Sequence, residues 1–204
     1  MTTIPLFPLG RALFPDGVLH LRIFEVRYLD MIRHCLEDKT PFGVVPLISG
    51  KEIRSPEGGE VLARAGTLAH IETWQAPMPS LFQLRCRGGH RFKLLSSEQG
   101  RYGLWTGQIE EIDDDPPQAI PDALRASADR LGRLIADLQR EGTPASAMPL
   151  APPFRLDECG WVANRWGELL PLSPRQQEAW LMEPLPSARL EMAHDALQQH
   201  GLLR

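Results

Sequence analysis

The 204-residue chain has little cysteine and no long apolar run. Its three cysteines, Cys35, Cys86 and Cys159, are far apart in the sequence and form no CxxC pair, which excludes the usual spacing of a zinc ribbon or a thioredoxin-like site. The histidines include neither HxH nor HExxH. No apolar stretch approaches the ~18 residues of a membrane span. We therefore expect buried, reduced thiols and neither a metal nor a cofactor.

Charge of neither sign dominates the sequence. There are 13 basic and 15 acidic residues up to Asp115 and 9 and 11 after it, so each half carries −2 of the net −4. A dedicated nucleic-acid-binding domain is usually strongly basic, and this balance disfavours that class. The N-terminus lacks the basic start and apolar stretch of a signal peptide. We expect a cytoplasmic globular protein.

The common nucleotide-binding and hydrolase motifs are missing as well. The sequence contains no GxxxxGK followed by Ser or Thr, no GxGxxG and no GxSxG. Ser, His and Asp residues that are far apart in the sequence can still come together in the folded chain. A hydrolase or small-molecule site formed by such scattered residues therefore stays open at this point. We predict no catalytic residue.

The first half of the chain has the alternation of a β-rich domain. Over residues 81–87 apolar and polar residues alternate, which is typical of a half-buried strand. Gly88-Gly89 then predicts a reversal, with residues 90–95 as the returning strand. Apolar residues at helical spacing predict one helix over residues 25–36. Further strands are predicted over residues 18–23, 42–48, 66–74 and 102–110.

The second half has the signals of a helical bundle. Asp122 is predicted to cap a helix that Gly142 ends, and a second helix is predicted over residues 157–170. Ser173, followed by Pro and by Gln three residues on, predicts a capping box at the start of the third helix. Ser187 is predicted to cap the last helix.

Acidic residues and prolines at 113–117 indicate a boundary between the two halves. We predict a β-domain over residues 1–115 and a helical subdomain over residues 118–204. The tryptophans of the second half are expected in the helical core: Trp161, Trp166 and Trp180.

The N-terminal motifs are the most distinctive part of the sequence. In order along the chain they read IPLFPL at 4–9, LFPDG at 13–17, LHLRIFEVRY at 19–28, FGVV at 42–45, GTLAHI at 66–71 and GHRF at 89–92. This progression resembles the Lon protease N-terminal, or substrate-binding, domain family, whose members show PLFPL, LFPG and LxIFEPRY. The resemblance covers nearly the whole chain, and IFExRY is its most specific part.

The resemblance implies an α+β fold: a PUA-like mixed β pseudo-barrel with one inserted helix, followed by a C-terminal α-helical bundle. In full-length Lon an ATPase module and a Ser–Lys protease follow this region, whereas here the sequence stops at Arg204. We therefore expect a stand-alone, non-enzymatic member. Three departures from the family pattern are Val26 in place of the usual Pro, Asp16 between Pro15 and Gly17 where members pass directly from Pro to Gly, and a segment 75–80 without the usual Asp-Gly turn.

The apolar segment around that turn is the preferred interaction site. Its candidate partner-binding residues are Trp74, Met78, Leu81 and Phe82. Exposed at a loop tip, they would form an apolar patch of the kind that marks binding sites, although they could equally pack against the helical half. We predict recognition of an unfolded or extended polypeptide, or of a protein partner such as a protease or chaperone.

Two alternatives remain at this stage. PUA-like barrels include RNA binders, and a basic stripe on the predicted strands could reach phosphates. The residues of that stripe would be Arg85, Arg87, Arg91 and Lys93. The third hypothesis is a small-molecule ligand-binding or hydrolase domain, which a deep pocket gathering His and carboxylates would favour.

Overall fold

The computed structural model describes residues 2–50, 59–144 and 148–203. The strands found there are β1 (Thr2–Leu9), β2 (Val18–Ile23), β3 (Phe42–Ser49), β4 (Val61–Leu62), β5 (Ala65–Met78), β6 (Leu81–Gln99) and β7 (Trp105–Glu111). The α-helices are α1 (Val26–Asp38), α2 (Arg125–Arg140), α3 (Cys159–Leu169), α4 (Pro174–Met182) and α5 (Pro186–Gln199).

Five of the strands close into a barrel. Strand β1 pairs antiparallel with β7 and parallel with β3, and β7, β6, β5 and β3 follow one another in antiparallel pairs. Because the ladder returns to β1, this ring leaves no open sheet side. Strand β2 pairs with the first half of β6, and β4 pairs with β3. The predicted α+β fold, a mixed β pseudo-barrel followed by helices, is confirmed.

Strand β6 runs unbroken through Gly88 and Gly89, so the reversal predicted there is wrong. A Cβ at Gly88 would overlap the main chain of Phe14, and a Cβ at Gly89 would overlap the ring of His70. These glycines therefore permit close packing against other segments. The chain reverses instead at Pro79 and Ser80, between the paired ends of β5 and β6.

Helix α1 packs on the part of the sheet formed by β2, β5 and β6. Its buried residues Tyr28, Leu29 and Ile32 belong to the same apolar cluster as Phe82 and Leu84 of β6. Burial of these side chains holds the helix against the sheet face that Phe82 occupies. The helix is thus placed beside the hairpin of β5 and β6.

The four C-terminal helices surround a second apolar core, which also receives a residue from the barrel. The three tryptophans are buried there as expected: Trp161, Trp166 and Trp180. Phe14, from the segment between β1 and β2, is fully buried in this core and packs on Gly167, where a Cβ would come 2.7 Å from the ring. The barrel and the helices therefore share a core. The division of the chain at residues 115–118 stays a prediction.

Two helix starts test the capping signals that the sequence contains. The capping box at Ser173 is confirmed: its hydroxyl accepts the Gln176 N–H, and the Gln176 side chain accepts the Ser173 N–H at 2.8 Å. The cap predicted at Ser187 is wrong, because α5 already begins at Pro186 with Leu185 as its N-cap. A proline has the φ of a first helical residue, so the helix starts two positions earlier than predicted.

Candidate functional site

The hairpin of β5 and β6 projects beyond the barrel. Strand β5 pairs with β3 only through Thr67, Leu68 and Ala69, while its pairing with β6 continues to Met78. From His70 onward nearly every β5 residue is exposed. The candidate residues therefore lie on an extension of the sheet in which β6 lies between β5 and β2, with helix α1 beside it.

A groove of about 550 Å³ separates this extension from α1. We call it the hairpin groove, and its lining residues are Arg33, Leu36, Glu37, Trp74, Ala76, Pro79 and Phe82. Trp74 is 51% exposed, whereas Phe82 beneath it is only 7% exposed, and their ring centroids lie 5.7 Å apart. The Trp74 ring thus packs on the buried Phe82 ring and leaves an apolar surface exposed in the groove.

Arg33 connects α1 to the tip of the hairpin. Its Nη2 donates to the carbonyl oxygen of Pro79 at 3.1 Å, and its guanidinium carbon lies 5.9 Å from the centroid of the Phe82 ring. Its Nη1 also pairs with Asp30 at 2.7 Å. These contacts hold one wall of the hairpin groove against the other. No sequence pattern singles out Arg33, because its role depends on where the hairpin turns.

The four residues predicted as one patch do not share a surface. Met78 is paired with Leu81 in the ladder, and paired residues lie on the same face of a sheet. Leu81 and Phe82 are consecutive, so their side chains point to opposite faces. Trp74 and Phe82 line the hairpin groove, while the 55% exposed Met78 does not line it.

The groove lies beside an unpaired strand edge. Among the described strands, none pairs with the outer side of β5 from His70 to Ala76. An unpaired edge presents backbone N–H and C=O groups to which another extended chain can pair. Pro77 interrupts this edge near the tip, as prolines do on natural edge strands.

The predicted basic stripe is broken up by pairing and burial. The Glu72 carboxylate lies between Arg85 and Arg87, forming an ion pair with each, the latter at 2.6 Å. Lys93 pairs with Glu110 at 3.1 Å. Arg85 and Arg87 share one carboxylate and Lys93 has another, so these ion pairs reduce the positive potential available to a phosphate backbone.

Arg91 does not belong to this surface at all, so its prediction as an RNA contact is wrong. It is 3% exposed and donates to the carbonyl oxygens of Leu181 and Glu183 at 2.9 and 2.8 Å and to Asp115 at 2.9 Å. Burial, and then the charge of Arg189, lower the pKa of Arg91 to about 10, while Asp115 acts in the opposite direction. The C-terminal helices cover this part of β6, which its own alternation could not reveal.

The cysteines are buried and free, as expected. Burial raises the pKa of the Cys86 thiol to about 12 and also raises the pKa of Cys35 and of Cys159. Thiols with raised pKa values are poor nucleophiles and poor metal ligands. Over residues 2–50, 59–144 and 148–203, no group of three or more His, Cys, Asp or Glu side chains is arranged to hold a metal ion.

The family model described as the ATP-dependent protease La (LON) substrate-binding domain matches residues 3–199. The chain belongs to this Lon substrate-binding domain family. No curated protein sequence matches the chain. Within the described part of the chain, no helix combines the length and the apolar character that a membrane crossing requires.

The solved structures that resemble this member of the Lon substrate-binding domain family include two Lon N-terminal domains. The crystal structure of a Lon N-terminal domain protein from Xanthomonas campestris is 31% identical, covers 94% of this chain and 96% of its own, and superposes with a TM-score of 0.74. The N-terminal domain of the Mycobacterium avium complex Lon protease is 14% identical, with 98% and 100% coverage and a TM-score of 0.59. The second likeness supports the fold alone.

Proposed function

We propose that this Lon-family domain binds extended polypeptide segments in the hairpin groove and along the free edge of β5. The observation that carries the proposal is the position of Trp74, half exposed in an apolar groove directly beside an unpaired strand. Membership of a family described as substrate-binding supports the same role. The groove supplies apolar contact, and the edge supplies backbone hydrogen bonds.

The geometry favours an extended segment over a helix as the ligand. An extended chain advances about 3.3 Å per residue and can place every second side chain on the same face. One such side chain would rest on Trp74 while the neighbouring backbone pairs with β5. Because an unfolded segment loses conformational freedom on binding, we expect weak affinity, about micromolar or weaker.

We further propose that the protein acts in the cytoplasm and without catalysing a reaction, on unfolded polypeptide or on a protein partner such as a protease or chaperone. The three cysteines are buried and free, and thiols stay reduced in the cytoplasm, which supports this location. The Arg–Glu pairing on the hairpin gives RNA binding no support.

The test is fluorescence titration of the protein with a permanently unfolded, reduced and carboxymethylated model protein. Trp74→Ala should weaken binding about tenfold, because an exposed aromatic anchor contributes about 1–2 kcal/mol. Leu185→Ala is the matched control, since Leu185 is a similarly exposed apolar residue of the α4–α5 connection outside the groove. Equal losses in both variants, or no saturable binding by the unaltered protein, would contradict the proposal.

The contribution of the strand edge is tested with a pair of synthetic peptides. One is an apolar extended peptide and the other has the same sequence with alternate amides N-methylated. If the ligand pairs with β5, methylation removes donors and should weaken binding by about tenfold, while side-chain contact with Trp74 alone would leave the two peptides equal.

A further inference from the structure

The hairpin groove contains an acidic side chain that the proposed function leaves unused. Glu37 lines the groove from the last turn of α1 and is exposed. Its carboxylate forms no ion pair and no hydrogen bond with any residue that the structure describes. Among the described lining residues it is the only acidic one. The groove therefore presents a free carboxylate next to apolar surface.

The basic residue of the same lining, Arg33, is already engaged. Its Nη1 lies 2.7 Å from Asp30, and its Nη2 donates to the carbonyl oxygen of Pro79 at 3.1 Å. Its guanidinium group lies on the Phe82 side of the groove, 5.9 Å from the centroid of that ring. Arg33 and Asp30 together contribute no net charge, so the carboxylate of Glu37 sets the sign of the charge that a ligand meets in the groove.

The Trp74 ring supplies the other half of a subsite for a basic side chain. It is 51% exposed, and no cation of the described chain lies over it. The face of an indole ring attracts an ammonium or guanidinium group. Lysine and arginine side chains carry such a group on an apolar stem, which packs against apolar surface while the charged head stays near water. They therefore match a groove that combines aromatic surface with a carboxylate.

Other kinds of side chain fit this lining less well. An aliphatic side chain covers the Trp74 ring, but it removes water from the Glu37 carboxylate without supplying a partner. An acidic side chain places a second negative charge beside Glu37, which is unfavourable. A basic side chain covers the ring and pairs with the carboxylate at the same time.

We propose that the hairpin groove selects extended segments in which a lysine or arginine residue lies among apolar residues. The inference rests on the proposed function, since it names the segments that the same site binds. The stem of the basic side chain lies on Trp74, and its head pairs with Glu37. When the segment pairs with β5, side chains two residues apart lie about 7 Å from each other on the same face. Apolar residues at these positions extend the contact along the groove.

The test compares two blocked peptides by fluorescence anisotropy with the full chain. Both consist of alternating valine and threonine, which favour an extended backbone, and they differ only in a central arginine or citrulline. Citrulline has the shape of arginine without its charge. We expect the arginine peptide to bind about fivefold tighter at low salt, as for an exposed ion pair strengthened by an aromatic face. The ratio of the two affinities should fall as salt is raised, because salt screens exposed charges.

Variants of Glu37 show whether that carboxylate is the source of the preference. Glu37→Gln should weaken only the arginine peptide and lower the affinity ratio to about twofold or less, the remainder coming from the aromatic face. Asp38→Asn is the matched control, since it removes an equal charge from the next exposed residue of α1, which does not line the groove. This control should keep the ratio. Glu37→Lys should reverse the order of the two peptides, because like charges repel.

The inference and the proposed function fail in different ways. If both peptides bind the unaltered protein equally and Trp74→Ala weakens both, the groove binds polypeptide without preference for a basic residue, and only the inference is overturned. The same holds if Glu37→Gln leaves the ratio unchanged, or if Asp38→Asn lowers it as much. If neither peptide binds saturably, the proposed function is overturned as well.

Discussion

Arg91 and Arg85 are indistinguishable in the sequence, since both occupy alternate positions of the same basic run, yet the structure gives them different tasks. Arg91 is buried and satisfies two carbonyl oxygens and Asp115, whereas Arg85 pairs with Glu72 at the surface. The difference comes from helices α4 and α5, which lie about ninety residues further along the chain. No local pattern around Arg91 could have predicted it.

This contrast predicts unequal losses of stability. Arg91→Ala should lower the free energy of unfolding by about 3 kcal/mol, because it leaves buried carbonyl oxygens and part of Asp115 without a donor. Arg85→Ala should cost under about 1 kcal/mol, as for other surface ion pairs. Urea unfolding of the two variants measures both values. Similarly small losses of unfolding free energy would show that the buried contacts of Arg91 do not stabilise the fold more than a surface ion pair does.

At the scale of elements, the signals confined to one turn were predictable and those set by distant contacts were not. The capping box at Ser173 needs only residues within one turn, and the structure confirms it. The role of Gly88 depends on its close approach to Phe14, and no residue near Gly88 in the sequence indicates that contact. The groove wall formed by α1 was missed for the same reason, because it depends on where the hairpin lies.

Gly88→Ala tests whether that glycine serves packing or turning. We expect a loss of about 2 kcal/mol or more in unfolding free energy, since the added methyl group overlaps the Phe14 backbone, which cannot move independently of the core. Gly100→Ala is the control, because the nearest atom to a Cβ there is the Leu104 carbonyl oxygen at 3.6 Å. Equal stability of both variants would contradict the close approach.

For the whole molecule, the decisive feature is that barrel and helices are joined by buried groups. The Glu168 carboxylate of α3 accepts the backbone N–H of Phe14 at 3.2 Å, and its other oxygen lies 3.3 Å from Nη2 of Arg165. Arg165 in turn donates to the carbonyl oxygen of Pro15 at 2.6 Å. A charged pair therefore secures the segment that carries Phe14 into the helical core.

Glu168 should make this joint sensitive to pH. Burial outweighs the opposing effect of Arg165 and raises the pKa of Glu168 to about 7 from an ordinary value of 4.5. Because the folded state holds the proton more tightly than the unfolded chain, its stabilising contribution is complete below pH 4.5 and is lost as pH rises through 7. A difference of this size corresponds to up to about 3 kcal/mol.

Urea unfolding at several pH values between about 4.5 and 8, compared with Glu168→Gln, measures that contribution. The glutamine keeps an acceptor for the Phe14 N–H but cannot titrate, so the unaltered protein should lose stability relative to the variant as pH rises. Subtracting the two profiles removes the titration of groups common to both chains, because distant sites contribute additively. Parallel profiles would mean that Glu168 is already ionised throughout this range, and that its pair with Arg165 compensates fully for its burial.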